Sequence, residues 1–255
     1  MLRVMRIGFI GAGNMASAIA RGLGEPALVS DVDRSRAEAL AAEVGGEVAE
    51  SNAALAAAAD VVVLAHKPAQ LDEVADEIRD GAKAVVSILG GVGIDALETA
   101  YPDRPVYRLM PSIPVEVRQG VVCYSPGTRA GEGPEAEIRE LIARLGPVMD
   151  VPDGLIGAGT AVMSCGPAFL ALVAEAMVDA GVRQGLTADQ AARMVVDTMA
   201  GTAAYLREND LDTRALRVRV TSPGGFTAKG LAELEAGGLR AAFDAAVAAA
   251  SGARR

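Results

Sequence analysis

Tryptophan is missing from this 255-residue chain, and phenylalanine and tyrosine occur only four times each. Little aromatic surface is therefore available for stacking nucleic-acid bases. The formal net charge of −9 also has the wrong sign for steering onto a phosphate backbone, so nucleic acid is excluded as an expected partner. Cysteine is as scarce. Cys123 and Cys165 are the whole complement, and neither has a second cysteine or a histidine at ligand spacing, so no disulfide framework and no metal centre are expected. The opening MLRV shows no cationic leader, long apolar stretch and cleavage site, which together with the absent disulfides leads to an expected cytoplasmic location. The apolar segment Ala168 to Val178 is interrupted by Glu175 and followed by Asp179, short of bilayer length, so no membrane span is expected. Lysine occurs only at Lys67, Lys83 and Lys229, an absence that later limits the chemistry.

What the chain does have is apolar material, 51% of its residues, enough for a sizeable core. From Met5 to Met149, short β-branched runs alternate with alanine-rich helical stretches, the pattern of a parallel sheet with helices on its faces. Strands are expected at Met5 to Ile10, Ala27 to Asp31, Asp60 to Ala65, Ala84 to Leu89, Val106 to Met110, Gly120 to Tyr124 and Val148 to Val151. The run VVVLA at Val61 to Ala65 has no in/out alternation and belongs at a sheet centre covered on both faces. After Pro152 the strand-like runs stop. Residues 1–152 therefore read as an α/β domain and 153–255 as an all-helical one. The helix expected over Ala168 to Val182 is apolar almost all round. It is either buried within a monomer or covered by a second subunit. The second reading is favoured because a helical domain this small has little material to cover it, and a homodimer at least is expected.

The segment Gly11-Ala12-Gly13-Asn14-Met15-Ala16 stands between the first strand and a helix and fits G-x-G-x-x-A, the dinucleotide-binding pattern. Gly11 serves the tight turn, Gly13 lets backbone approach a pyrophosphate, and Ala16 allows helix to pack closely on strand. Helix N–H groups at Asn14 and Met15 bind the phosphates. Asp31 follows Gly11 by 20 residues, where a carboxylate accepts from ribose hydroxyls and repels a 2′-phosphate, favouring NAD(H). Arg34 is placed to pair with a 2′-phosphate, which keeps NADP(H) open, and a solvated loop is the alternative for both residues.

Several segments in order then resemble the pyrroline-5-carboxylate reductase family. IGFIGAGNMASAIARGL at Ile7 to Leu23 resembles its first βα unit, and LAHKP at Leu64 to Pro68 its V-K-P strand end under the cofactor. SILGGVGIDAL at Ser87 to Leu97 resembles its S-I-x-A-G-V strand and helix start, and RLMPSIPVEVRQG at Arg108 to Gly120 its R-x-M-P-N-T-P segment. MSCGPAF at Met163 to Phe169 resembles its S-G-S-G-P-A-Y, and Val220 to Phe243 its S-P-G-G-T-T signature with two following helices. The resemblance implies a Rossmann-type doubly wound α/β sheet, then an all-α, intertwined dimerisation domain. It also implies reduction of 1-pyrroline-5-carboxylate to proline with NAD(P)H, and places His66, Lys67 and Pro68 at the cofactor. The family's residues are replaced here by His66, Ser112, Ile113, Met163, Ser164, Cys165 and Phe226.

The chemistry accords with that implication. Carbonyl reduction creates an alkoxide and calls for a proton donor, whereas an iminium takes hydride to give a neutral amine, so positioning and electrostatics suffice. Hydroxyacid dehydrogenases of similar plan place a lysine on the first interdomain helix, but no lysine occurs between Lys83 and Lys229. Ser222-Pro223-Gly224-Gly225-Phe226-Thr227 offers glycine-freed N–H groups at a helix start for a substrate carboxylate. An ordinary turn with Thr227 as N-cap is the alternative. By resemblance, Ser222, Gly224, Gly225 and Thr227 line the imino-acid pocket, with Ser222 and Thr227 at the reaction, and the helix opened by Gly166-Pro167 lies beside the nicotinamide. Cys165 has no evident general base and reads as a small core residue. His66, the sole histidine, is either a proton donor or a passive loop residue, and passive is favoured because an imine needs no such donor. Two other readings stand beside the leading one: a reductase of a different imino acid, with Ile113 and Phe226 reshaping the pocket, and a non-catalytic dinucleotide-binding relative.

Overall fold

The computed structural model describes residues 5–252, and the opening Met1–Val4 lies outside them. Eight strands, β1 Ile7–Ile10, β2 Ala27–Ser30, β3 Glu47–Val48, β4 Val61–Leu64, β5 Val85–Ser87, β6 Val106–Pro111, β7 Val122–Pro126 and β8 Val148–Asp150, form one sheet in the order β3-β2-β1-β4-β5-β6-β7-β8. The helices are α1 Asn14–Leu23, α2 Arg34–Val44, α3 Asn52–Ala58, α4 Leu71–Ile78, α5 Ile94–Ala100, α6 Glu135–Ala143, α7 Ile156–Gly159, α8 Gly166–Arg183, α9 Ala188–Glu208, α10 Thr213–Arg219, α11 Phe226–Ala236 and α12 Leu239–Ala250. The chain forms two compact units, one running through Cys165 and resuming at Ala250, the other Gly166–Ala249.

The first unit is the α/β unit expected. Strand β4 lies inside the sheet between β1 and β5, and its unbroken apolar run is divided between the two faces. Val61 and Val63 join the core with Phe9, Val29, Tyr107 and Ile138, while Val62 and Leu64 join that of Ile10, Leu55, Val85 and Leu97. Local chemistry fixes the helix ends. Gly24 and Gly45 close α1 and α2 in the left-handed region, and the Asp33 and Ser51 side chains accept from first-turn N–H groups of α2 and α3. Such caps are worth about 1 kcal/mol each.

Two features depart from the sequence reading. The sheet is not wholly parallel, because β7 runs antiparallel to β6; the intervening residues 112–121 form a short 3₁₀ turn over Ile113–Val117 and are too few for a crossover helix. Strand β3 was not foreseen. It contributes only Glu47–Val48, with Glu47 exposed, and exists through its pairing with β2.

The division between units falls at Gly166, beyond the 152/153 boundary read from the sequence. Thr160–Ser164 forms a π-helical turn whose Ser164 hydroxyl donates to the Pro111 carbonyl at 3.2 Å, and Ile156 is buried with Met110 and Cys123, so this stretch packs with the sheet. The apolar helical run is longer than the segment Ala168 to Val178 considered in the sequence: starting at Asp153 adds residues ahead of Glu175, and Asp153–Arg183 is by length and composition long and apolar enough to cross a membrane, with little of it buried.

The second unit is entirely helical, and α8 packs on α9. Thr187 and Gln190 form a capping box at the start of α9. Only Gly166, Ala191 and Val195 of this unit are buried, whereas Leu172 is 66% and Val196 58% exposed. Burial of α8 within a monomer is therefore not what the fold provides. Apolar area left open on this scale is covered by association. Sedimentation is expected to give a dimer or larger assembly at micromolar concentration, with a Tm that rises with protein concentration; a stable folded monomer would contradict this.

Candidate functional site

The end of β1 leads into the glycine loop. Gly11 has φ +104° and its N–H donates to the Ser30 carbonyl at 2.7 Å. A Cβ here would stand 2.5 Å from the Ala65 carbonyl oxygen, so the turn tolerates only glycine. Gly13 differs. It has ordinary extended backbone as the N-cap of α1, and a Cβ on it would meet nothing within 4 Å. The room above Gly13 serves something other than the protein's own packing. The first turn of α1 has neither a side-chain cap nor an acidic residue, so the amides at Asn14 and Met15 lack a side-chain acceptor. Ala16 is buried at 1% exposure, consistent with close packing of helix on strand. Beside the loop, Gly11, Gly13, Asp31, Ala65, His66 and Lys67 are among the residues lining an open cavity of about 690 Å³.

Asp31 lies at this cavity, but its carboxylate is already engaged. Oδ2 accepts from Ala12 N–H at 2.6 Å and Oδ1 from Asp33 N–H at 2.8 Å. The aspartate braces the glycine loop and holds its negative charge in place, and a carboxylate retains further lone pairs for hydroxyl donors. Arg34 is not among the cavity residues; its guanidinium pairs with Glu38 one turn along α2 at 2.9 Å. Arg36 lines the cavity instead, with Asp33 at 3.4 Å. Ser30 and Asn52, unremarked in the sequence, also line it and are joined when the Ser30 hydroxyl donates to Asn52 Oδ1 at 2.7 Å. Asn52 in turn donates to Glu77 at 2.6 Å. Lys67 and Pro68 open a 3₁₀ turn on the cavity wall. Burial lowers the His66 imidazole pKa, with a smaller opposing effect from the Lys67 carbonyl.

In the helical unit, Ser222–Thr227 forms the turn into α11. Gly224 adopts φ +70°, and Gly225 donates to the Ser222 carbonyl at 3.1 Å. A Cβ on Gly225 would stand 2.3 Å from Ser222 Oγ. Gly225, not Thr227, is the N-cap, and it provides no side-chain cap. Thr227 is thus the second helical residue, and the first-turn amides are left open to an incoming anion. Phe226 is 94% exposed at the same helix start.

Two family departures are occupied structurally. The buried Ser112 hydroxyl accepts from Val121 N–H at 2.9 Å and ties β6 to β7. Cys165 is partly buried and ends the π-helical turn, its N–H donating to Thr160 at 2.9 Å. Burial pushes the Cys123 thiol up, away from the reactive thiolate. Among the described residues no group of three or more His, Cys, Asp or Glu side chains could hold a metal ion.

Known proteins resemble the chain over almost its whole length. A family model described as pyrroline-5-carboxylate reductase dimerisation matches residues 153–255, and one described as NADP oxidoreductase coenzyme F420-dependent matches residues 6–91. The pyrroline-5-carboxylate reductase of Aquifex aeolicus is 33% identical, covering 94% of this chain and 92% of its own. The structure of the Streptococcus pyogenes 1-pyrroline-5-carboxylate reductase has 28% identity and a TM-score of 0.89, covering 97% of this chain and 96% of that one. That of the Plasmodium falciparum pyrroline carboxylate reductase with NADP bound has 26% identity and a TM-score of 0.86, covering 98% and 97%. The dimerisation match spans the exposed apolar run of α8 and α9, and it supports a homo-oligomer.

Proposed function

Because the chain belongs to the pyrroline-5-carboxylate reductase family, we propose that it reduces 1-pyrroline-5-carboxylate to proline and prefers NADH as reductant. The observation that carries the dinucleotide part of this reading is the contrast between the two loop glycines. Gly11 is demanded by the protein's own backbone, whereas Gly13 guards empty space over an uncapped helix start. That space suits a pyrophosphate.

The residues fit the cofactor's parts. Gly11, Gly13 and the first turn of α1 would hold the pyrophosphate, Asp31 the adenosine ribose, and His66, Lys67 and Pro68 the continuing cavity wall. When bound, the nicotinamide ring supplies the hydride. The turn Ser222–Thr227 holds the substrate carboxylate through open amides and the Thr227 hydroxyl, which fixes the ring for attack. The ring nitrogen enters protonated from solution and leaves as an amine, so no side-chain acid is required. This accords with the chain's short supply of lysine and histidine.

The NADH preference follows from charge. Asp31 is held by two backbone N–H groups where it opposes a 2′-phosphate, and Arg36, which lines the same cavity, is partnered by Asp33. Asp31→Asn keeps an acceptor for the loop but removes the charge. The ratio of kcat/KM with NADPH to that with NADH is expected to rise about tenfold, the order of one screened charge pair. An unchanged ratio would assign the choice to Arg36 or the backbone.

A further inference from the structure

Glu77 stands on α4, whose Val74, Ala75 and Ile78 are buried, and as an exposed residue it joins Ser30, Asp31 and Asn52 in lining the open cavity. It ends a short chain of hydrogen bonds. Its Oε2 accepts from Asn52 Nδ2 at 2.6 Å, and Asn52 Oδ1 accepts from the Ser30 hydroxyl at 2.7 Å. The direction of this chain is set at the Glu77 end. An ionised carboxylate can only accept, so it takes the amino side of the Asn52 amide and turns the carbonyl towards Ser30. A hydroxyl has one proton, and Ser30 spends it on that carbonyl. What Ser30 then offers to any other neighbour is a lone pair.

A neutral amide at position 77 would lift that constraint, because it can donate as readily as accept, and Asn52 could then turn over, present N–H to Ser30 and free the serine proton. The two polarities suit different ligands. Ribose hydroxyls need acceptors, whereas a 2′-phosphate needs donors and is repelled by a carboxylate. Ser30 immediately precedes Asp31 in the chain, so Glu77 acts on the same corner of the cavity from a different helix. We propose that Glu77 is a positioning residue that sets cofactor choice: through Asn52 it holds the Ser30–Asn52 pair in the polarity that receives ribose hydroxyls, and its charge adds to that of Asp31 against a 2′-phosphate. This rests on the dinucleotide reading above, and the test separates the two.

NADH and NADPH differ only in the 2′-phosphate, so the ratio of their dissociation constants, measured by calorimetry on the full chain, reads the group that Glu77 opposes. In Glu77→Gln this ratio shifts about fivefold in favour of NADPH, the order of one screened charge several ångströms away. The Tm stays within about 2 °C of the parent's, as for an exposed substitution. Glu77→Ala, with the higher helix propensity, shifts the ratio in the same direction. Asn52→Asp combined with Glu77→Gln exchanges carboxylate and amide, restores the charge and again gives the Ser30 proton an acceptor, so the ratio returns towards the parent's. An unchanged ratio in both single variants, or equal weakening of NADH and NADPH with a fall in Tm, would reduce Glu77 to a tie between α3 and α4 and overturn the proposal. An exchanged pair whose ratio stays with that of Glu77→Gln would overturn it as well. Failure of the parent to bind either dinucleotide would overturn the dinucleotide reading and this inference with it.

Discussion

Replacing Thr227 with alanine is expected to lower kcat/KM for 1-pyrroline-5-carboxylate by about 10-fold to 150-fold, because one hydrogen bond to a charged group contributes roughly 1.5 to 3 kcal/mol. The structure makes this substitution a clean probe. Gly225 is the N-cap of α11 and Thr227 is the second residue of the helix, so no cap is lost. Alanine also has the higher helix propensity, and the Tm is expected to hold or rise slightly. Binding of NADH should be unchanged. The analogue 1-pyrroline lacks the carboxylate and should be a poor substrate for the parent, almost indifferent to the substitution. Equal loss with both imines, measured as initial rates of NADH oxidation, would mean that Thr227 supports the fold and that the carboxylate is held elsewhere.

The loop glycines provide a second test with a large expected effect. Gly13→Val is expected to weaken NADH by about 100-fold or more, since its branched side chain occupies the opening above α1 and removes about 3 kcal/mol of phosphate contacts. Its Tm should stay near the parent's, because a Cβ at Gly13 meets no protein atom within 4 Å. Gly11→Ala should show the reverse emphasis. There φ is +104° and the added carbon would lie 2.5 Å from the Ala65 carbonyl oxygen, so a fall in Tm of several degrees accompanies any loss of binding. Calorimetric titration beside thermal melts separates these outcomes. A Gly13→Val protein that binds NADH as the parent does would remove the pyrophosphate from this loop.

How far the sequence spoke for the structure depended on whether the deciding interaction was local. Strand β4 was legible because both its faces are covered and its run VVVL is apolar without interruption. The glycine loop was legible because turn geometry and phosphate approach each require a small residue at a fixed position. Strand β3 was not, since its two residues owe their conformation to β2. Arg36 rather than Arg34 reaches the cavity because helical phase relative to a neighbouring wall is set by packing, and two arginines two positions apart look alike in sequence. The same holds for Asp31, whose position was apparent but whose bond to the Ala12 amide was not. The exposure of α8 and α9 became visible only once so few residues of their unit proved to be buried.

Whether the chain turns over a five-membered imino acid is decided by following NADH oxidation with 1-pyrroline-5-carboxylate beside 1-pyrroline and a six-membered-ring imino acid, with proline identified as product. Rapid turnover of the five-membered imino acid is expected, with weak turnover of the uncharged ring and the larger one. Tight NADH binding without turnover of any of the three, or a clear preference for the six-membered ring, would contradict it.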